Sequence, residues 1–151
     1  MNGDIRELYQ EMIMDHNKNP RNFRAVKDAN RNAEGYNPLC GDHFKVSLLM
    51  DGDVIKDIGF EGAGCAISKA SASMMTAALK GKTRREAKAL FEEVHKMLSR
   101  KIGEPCDVSK VGKLATLAGV CEFPARVKCA SLAWHTMCEA LDPTGKQVTT
   151  E

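Results

Sequence analysis

Two hydrophobic periods divide this chain, and the change between them falls near residue 65. Phe44, Val46, Leu48 and Met50 alternate with Lys45, Ser47 and Leu49, the period of two expected of a half-buried strand. Asp51-Gly52-Asp53 turns the chain, and residues 54–60 read as the returning strand, with Ile58 and Phe60 on one face. Tyr36 and its neighbours supply a third candidate strand. From Ala66 the spacing becomes helical: Ile67, Ala70, Met74 and Ala78 form one stripe, which Gly81 ends. Thr83-Arg84-Arg85-Glu86 has the form of a capping box, and Ala87, Leu90, Phe91, Val94 and Leu98 follow at helical spacing. Residues 106–122 read as a short helix and loop around Leu114 and Leu117. Pro124 suits a first helical position, after which Val127, Ala130, Trp134, Cys138 and Leu141 run down one face to Pro143. A first helix, with Asp4 and Glu7 as a capping pair and Ile5, Leu8, Met12 and Ile13 on its face, stops at Asn19-Pro20.

Strands first and helices after is the order of an α+β fold. The expected architecture is a small antiparallel sheet of about three strands with helices packed on one face. Residues 1–143 read as a single domain and residues 144–151 as a solvated, flexible tail. A length of 151 residues suits one such unit with its own core. Twenty-two Lys and Arg against 20 Asp and Glu leave a net charge of +2, too weak a basic field to argue for nucleic acid. No apolar run approaches the roughly 20 residues that cross a bilayer. The charged N-terminus lacks the apolar stretch of a secretory signal, so a reducing cytoplasm is the expected location. There the six cysteines are expected as thiols, metal ligands or catalytic groups, and none are spaced C-x-x-C.

Three segments carry candidate chemistry. Asn37-Pro38-Leu39-Cys40-Gly41-Asp42 is turn-forming, and residues two apart in an extended segment face the same side, so Cys40 and Asp42 can address one point. Gly62-Ala63-Gly64-Cys65-Ala66 lies where strand passes to helix, placing Cys65 near a helix N-terminus that favours a thiolate. Phe123-Pro124-Ala125-Arg126-Val127-Lys128-Cys129 places a third thiol early in the last helix, beside two cations that would also favour the thiolate. Each has a plainer alternative: a turn in which Asp42 bonds a backbone N–H, a small buried cysteine, a solvated cationic helix face. Taken together, Cys40, Asp42, Cys65 and Cys129 make a set of three sulfurs and one oxygen suited to Zn²⁺. Because a carboxylate is the weaker zinc partner, such a site opens more easily than four thiolates, and Cys40 is the candidate for displacement. The histidines contribute little: His16, His95 and His135 read as surface or cap residues, and strand alternation turns His43 away from the other groups. Cys106, Cys121 and Cys138 read as incidental.

These three motifs in this order, with Tyr9, Met14-Asp15-His16 and Asn19-Pro20-Arg21-Asn22 ahead of them, resemble the IscU/NifU N-terminal family of iron–sulfur cluster assembly proteins over nearly the whole chain. By that resemblance Cys40, Asp42, Cys65 and Cys129 are the site residues. IscU-type members carry a histidine before the third cysteine, where this chain has Lys128, and a Leu-Pro-Pro-Val-Lys chaperone motif that is missing here. Lys128, with the long insert at roughly residues 83–122, is similar to the SufU branch. That resemblance implies tightly bound zinc, a SufS-type cysteine desulfurase as partner, Cys40 as the sulfur acceptor, and delivery to downstream cluster assembly proteins. It also implies that Arg126 helps receive the anionic persulfide. The alternative is a scaffold building a transient [2Fe–2S] cluster on the same ligands, since thiolates suit iron as well. A purely structural zinc protein is the third reading.

Overall fold

The computed structural model describes residues 2–101, 103–105 and 107–150, with side chains from Glu7 onward in the first helix. Cys106 lies outside the described residues, as do the side chains of Asp4 and Ile5 invoked for the first helix. In chain order the elements are α1 Asn2–Lys18, β1 Arg31–Asn37, β2 Asp42–Asp51, β3 Val54–Ala63, α2 Ala66–Leu79, α3 Arg84–Ser99, a 3-10 helix Gly112–Glu122, α4 Pro124–Leu141 and β4 Val148–Thr149.

The alternation that marked β2 becomes the floor of the core. Phe44, Val46, Leu48 and Met50 are all buried, and Phe60 and Ile58 stand opposite Val46 and Leu48 on the antiparallel neighbour. The register slips between Leu49 and Met50. A bulge of this kind leaves one residue, Lys56, without an opposite number, and so lets Ile55 join the same face as Ile58.

The sheet runs β3-β2-β1-β4. It has four strands and is mixed, which corrects the three-stranded antiparallel expectation. β4 pairs parallel to β1, Gly35 with Val148 and Tyr36 with Thr149, and Thr150 N–H donates to the Tyr36 carbonyl at 3.1 Å. A two-residue strand is too short to show any period, so the pairing comes from the open edge of β1 rather than from a local pattern. The segment read as a solvated tail is therefore tied down over part of its length. Its beginning is tied too, because the Glu139 carboxylate accepts from the backbone and hydroxyl of Thr144.

Helices cover the inner face. α4 crosses β1 and β2, α2 packs on β3 and α4, and α1 lies against α2. α4 approaches the sheet closely at Gly35, where a Cβ would sit 2.1 Å from Thr136 Oγ1. α2 is buried on more than the one stripe expected, with Ala72, Ser73 and Thr76 enclosed as well, because α1 closes its other side. Its small hydroxyls are partnered: Ser71 Oγ donates to Ala130 O at 2.6 Å, and Ser73 Oγ accepts from Arg21 N–H at 2.8 Å. Thr83 and Glu86 form the expected capping box at the start of α3. Arg84 and Lys88 then tie that helix to Asp142 at the end of α4. Among the described residues no helix is long and apolar enough to cross a membrane.

Candidate metal centre

The site forms where β1 turns into β2, at the end of β3, and on the first turns of α4. Asn37 and Asp42 are opposite partners in the β1–β2 ladder, and the four residues between them make the loop. Cys40 N–H donates to Asn37 O at 3.2 Å, and Gly41 takes φ +73°, a left-handed conformation open to glycine at little cost. Cys40 is thereby exposed at the loop tip, while Asp42, the first residue of β2, points into the core and is 1% exposed. Cys129, on the inner face of α4, is likewise 1% exposed.

One sulfur of Cys40, one carboxylate oxygen of Asp42 and the sulfur of Cys129 lie within 4.8 Å of one another, and the Cys129 thiol donates to Cys40 Sγ at 3.3 Å. The Asp42 carboxylate is held from two sides. Oδ1 accepts from Cys65 N–H at 2.9 Å and Ser68 Oγ at 3.1 Å, and Oδ2 accepts from Asn37 Nδ2 at 3.3 Å. Gly64 makes this possible, since a Cβ there would come within 2.7 Å of Asp42 Oδ1 and 2.4 Å of Ser68 Oγ.

Cys65 caps α2, its Sγ accepting from Ser68 N–H at 3.4 Å, which is the helix N-terminal position expected. It stands outside the 4.8 Å group but close enough to act on Cys129. Burial pushes the Cys129 thiol up, and hydrogen bonding to Cys40 and Asp42 and the charge of Cys65 push it the same way. In the metal-free chain, loss of solvent at the inner face of α4 thus opposes the thiolate that Arg126 and Lys128 were expected to favour. Arg126 is exposed on the first turn of α4, its guanidinium 6.0 Å from the centre of the Phe123 ring.

Two sulfurs and an oxygen at this separation fit a zinc ion. Zn–S bonds of about 2.3 Å in a tetrahedron place ligating sulfurs roughly 3.8 Å apart, near the spacing between Cys40 and Cys129. Asn37, which opens the first candidate segment, and Ser68, three residues past Cys65, position Asp42, a role the sequence does not announce for either. The register that sets Asn37 against Asp42 is a property of the paired strands and has no local sequence signal.

A family model described as the NifU-like N-terminal domain matches residues 8–130. The chain belongs to the NifU-like N-terminal domain family. Within this family it is 43% identical over 136 residues, 90% of each chain, to the zinc-dependent sulfurtransferase SufU of Bacillus subtilis (strain 168). It is also 39% identical over 138 residues, 91% of this chain and 84% of the other, to the iron–sulfur cluster assembly scaffold protein IscU of Streptococcus pyogenes serotype M1. Among solved NifU-like structures, an iron–sulfur cluster assembly scaffold for the SUF system from Fervidobacterium islandicum AW-1 superposes with TM-score 0.80 at 37% identity, covering 87% of this chain and 95% of that one. An N-terminal NifU-like protein from Brucella abortus shares the fold alone, with TM-score 0.78 at 23% identity and coverage of 88% and 91%.

Among the described residues, the histidines and the cysteines read as incidental stand apart from the Cys40, Asp42 and Cys129 group. His43 faces the opposite side of β2, stacked on Tyr36 at 4.0 Å and 3.1 Å from Glu34 Oε2. His16 is not a surface cap: it is partly buried, its Nδ1 2.7 Å from Ser73 Oγ, and burial followed by the charge of Arg21 pushes its pKa down. Cys121 is buried and Cys138 half-buried, where loss of solvent pushes the Cys138 thiol up to about 11.

Proposed function

We propose that this chain is a zinc-dependent sulfurtransferase of iron–sulfur cluster assembly, which accepts persulfide sulfur on Cys40 from a SufS-type cysteine desulfurase. The observation that carries the proposal is the contrast in exposure within one cluster. Cys40 is open at a loop tip, while its neighbours Asp42 and Cys129 are each 1% exposed. A protein thiol can reach only the first.

Cys40, Asp42, Cys65 and Cys129 would hold the ion, which when bound would keep Cys129 deprotonated where burial alone favours the thiol. In the transfer, the Cys40 thiolate attacks the outer sulfur of the desulfurase persulfide. The S–S bond breaks, the donor cysteine leaves as its thiolate, and Cys40 retains the sulfur as a persulfide anion. No net oxidation occurs. Asp42 and Cys129 stay in place because their partners are internal. Arg126 sits on the exposed first turn of α4 and offers a cation to the arriving anionic sulfur. The sulfur then passes to downstream cluster assembly proteins. The 43% identity to a named zinc-dependent sulfurtransferase supports this reading, as does Lys128, whose ammonium donates hydrogen bonds and would be a poor metal ligand, at the position of the IscU-type histidine.

The test is metal analysis and a desulfurase assay on protein purified without added metal. Equimolar, redox-inert zinc and faster desulfurase turnover are expected. Cys40→Ala should keep its fold and zinc but stimulate nothing. Brown, reductant-sensitive protein that passes a cluster to an apo-acceptor would instead establish the [2Fe–2S] scaffold, and zinc without any effect on the desulfurase a structural site.

A further inference from the structure

Asn37 touches every member of the clustered donor set. Its carbonyl accepts from Cys40 N–H at 3.2 Å, and its Nδ2 donates to Asp42 Oδ2 at 3.3 Å and to Cys129 Sγ at 3.5 Å. These contacts span the loop tip, the first residue of β2 and the inner face of α4. The residue itself is fully buried at the end of β1.

The other half of its amide is unsatisfied: among the described residues, the buried Asn37 Oδ1 has no hydrogen-bond partner. Turning the amide over would not help, because it would oppose two oxygens at 3.3 Å across the Asp42 contact. An orphaned buried acceptor costs stability, so folding alone gives no reason for an amide here, and an apolar side chain of the same size would be cheaper. What the amide supplies is a donor aimed at a carboxylate oxygen and a sulfur together.

We propose that Asn37 is the positioning residue of the metal centre: its amide fixes the Asp42 carboxylate and the Cys129 sulfur relative to each other, and its carbonyl fixes the turn that presents Cys40. This rests on the reading of the site as a zinc centre. Hydrogen bonds from outside the ligand set orient ligands and moderate their basicity, and losing one typically costs 10–100-fold in metal affinity. An N–H donor on sulfur also draws charge from a thiolate, which changes the electronic spectrum of a bound transition metal.

Asn37→Leu keeps the bulk without the donor, and Asn37→Ala removes both. Zinc affinity is read by chelator competition, the ligand field by the visible spectrum of the Co²⁺-substituted protein, and folding by the Tm of the metal-free chain. Both variants are expected to bind zinc 10–100-fold more weakly and to shift the cobalt bands, with Asn37→Leu melting no lower than wild type. A folded Asn37→Leu with wild-type affinity and spectrum overturns the proposal, as does an affinity loss confined to Asn37→Ala, which would make Asn37 a packing residue. If Asn37→Leu does not fold, Asn37→Ala decides alone: wild-type affinity and spectrum in that variant overturn the assignment. Wild-type protein that takes up no zinc overturns the functional reading and this one together, whereas zinc-binding wild type with unaffected variants overturns this one only.

Discussion

Gly64 has no room for a methyl group. A Cβ there would lie 2.4 Å from Ser68 Oγ, 2.7 Å from Asp42 Oδ1 and 2.9 Å from Phe44 Cε2, three atoms that the fold and the site both need where they are. Gly64→Ala is therefore expected to lower stability by about 1–3 kcal/mol, the usual cost of overpacking, and to weaken zinc binding as well. Denaturant midpoints of the metal-free protein and chelator competition measure the two effects, and unchanged values in both would contradict the contacts. This single position links the sheet to the chemistry: a residue without a side chain lets Asp42 accept from the first turn of α2. At this scale the grouping of much of the candidate site was legible. Cys40, Asp42 and Cys129 stood out because turn and helix-start contexts are local, and Cys65 was read as a helix-start residue for the same reason. Asn37 did not, because its role depends on which strand residue it faces and on a helix more than 90 positions away, and no local pattern encodes either.

α3 and α4 meet through an aromatic cluster. The Phe91 and His135 rings lie 5.3 Å apart, and those of His95 and His135 5.7 Å. Burial, then the neighbouring His95, pushes the pKa of His135 down. The unfolded chain takes up a proton there near pH 6.5 while the folded chain resists it, so this contribution to stability is present above about pH 6.5 and is lost as the pH falls. His16, lowered mainly by its burial against α2, acts in the same direction. The Tm is expected to drop between pH 7 and pH 5, and His135→Gln to flatten that slope; a slope unchanged in the variant would assign the acid sensitivity elsewhere. Elements with eight or more residues of clear period, such as β2, α3 and α4, were readable from spacing alone. β4 was not, since two residues carry no period and their pairing is dictated by the edge of β1. The near-complete burial of α2 was also hidden, because it depends on where α1 comes to rest.

Across the molecule, the clustered donors come from the β1–β2 loop, the start of β2 and α4, so an ion held between them would pin the sheet to the last helix. The unfolded chain has no such arrangement, and binding confined to the folded state adds RT ln(1 + [Zn²⁺]/Kd), about 2.7 kcal/mol at a hundredfold excess over Kd. For a chain of this size that corresponds to a rise in Tm of roughly 5–10 °C, and the rise should depend on zinc concentration. Calorimetry of metal-free protein titrated with zinc measures it, and a Tm indifferent to zinc would contradict a site built from both ends of the fold. Cys40 and Cys129 are separated by 89 positions. At ribosomal rates of about 5–20 residues per second, the loop thiol is made roughly 5–20 s before the helix that completes its surroundings. Until translation has delivered that helix, the nascent chain can offer a metal only scattered, low-affinity sulfur, so an ion bound between loop and helix would be loaded by the finished protein and would serve as a checkpoint on its maturation.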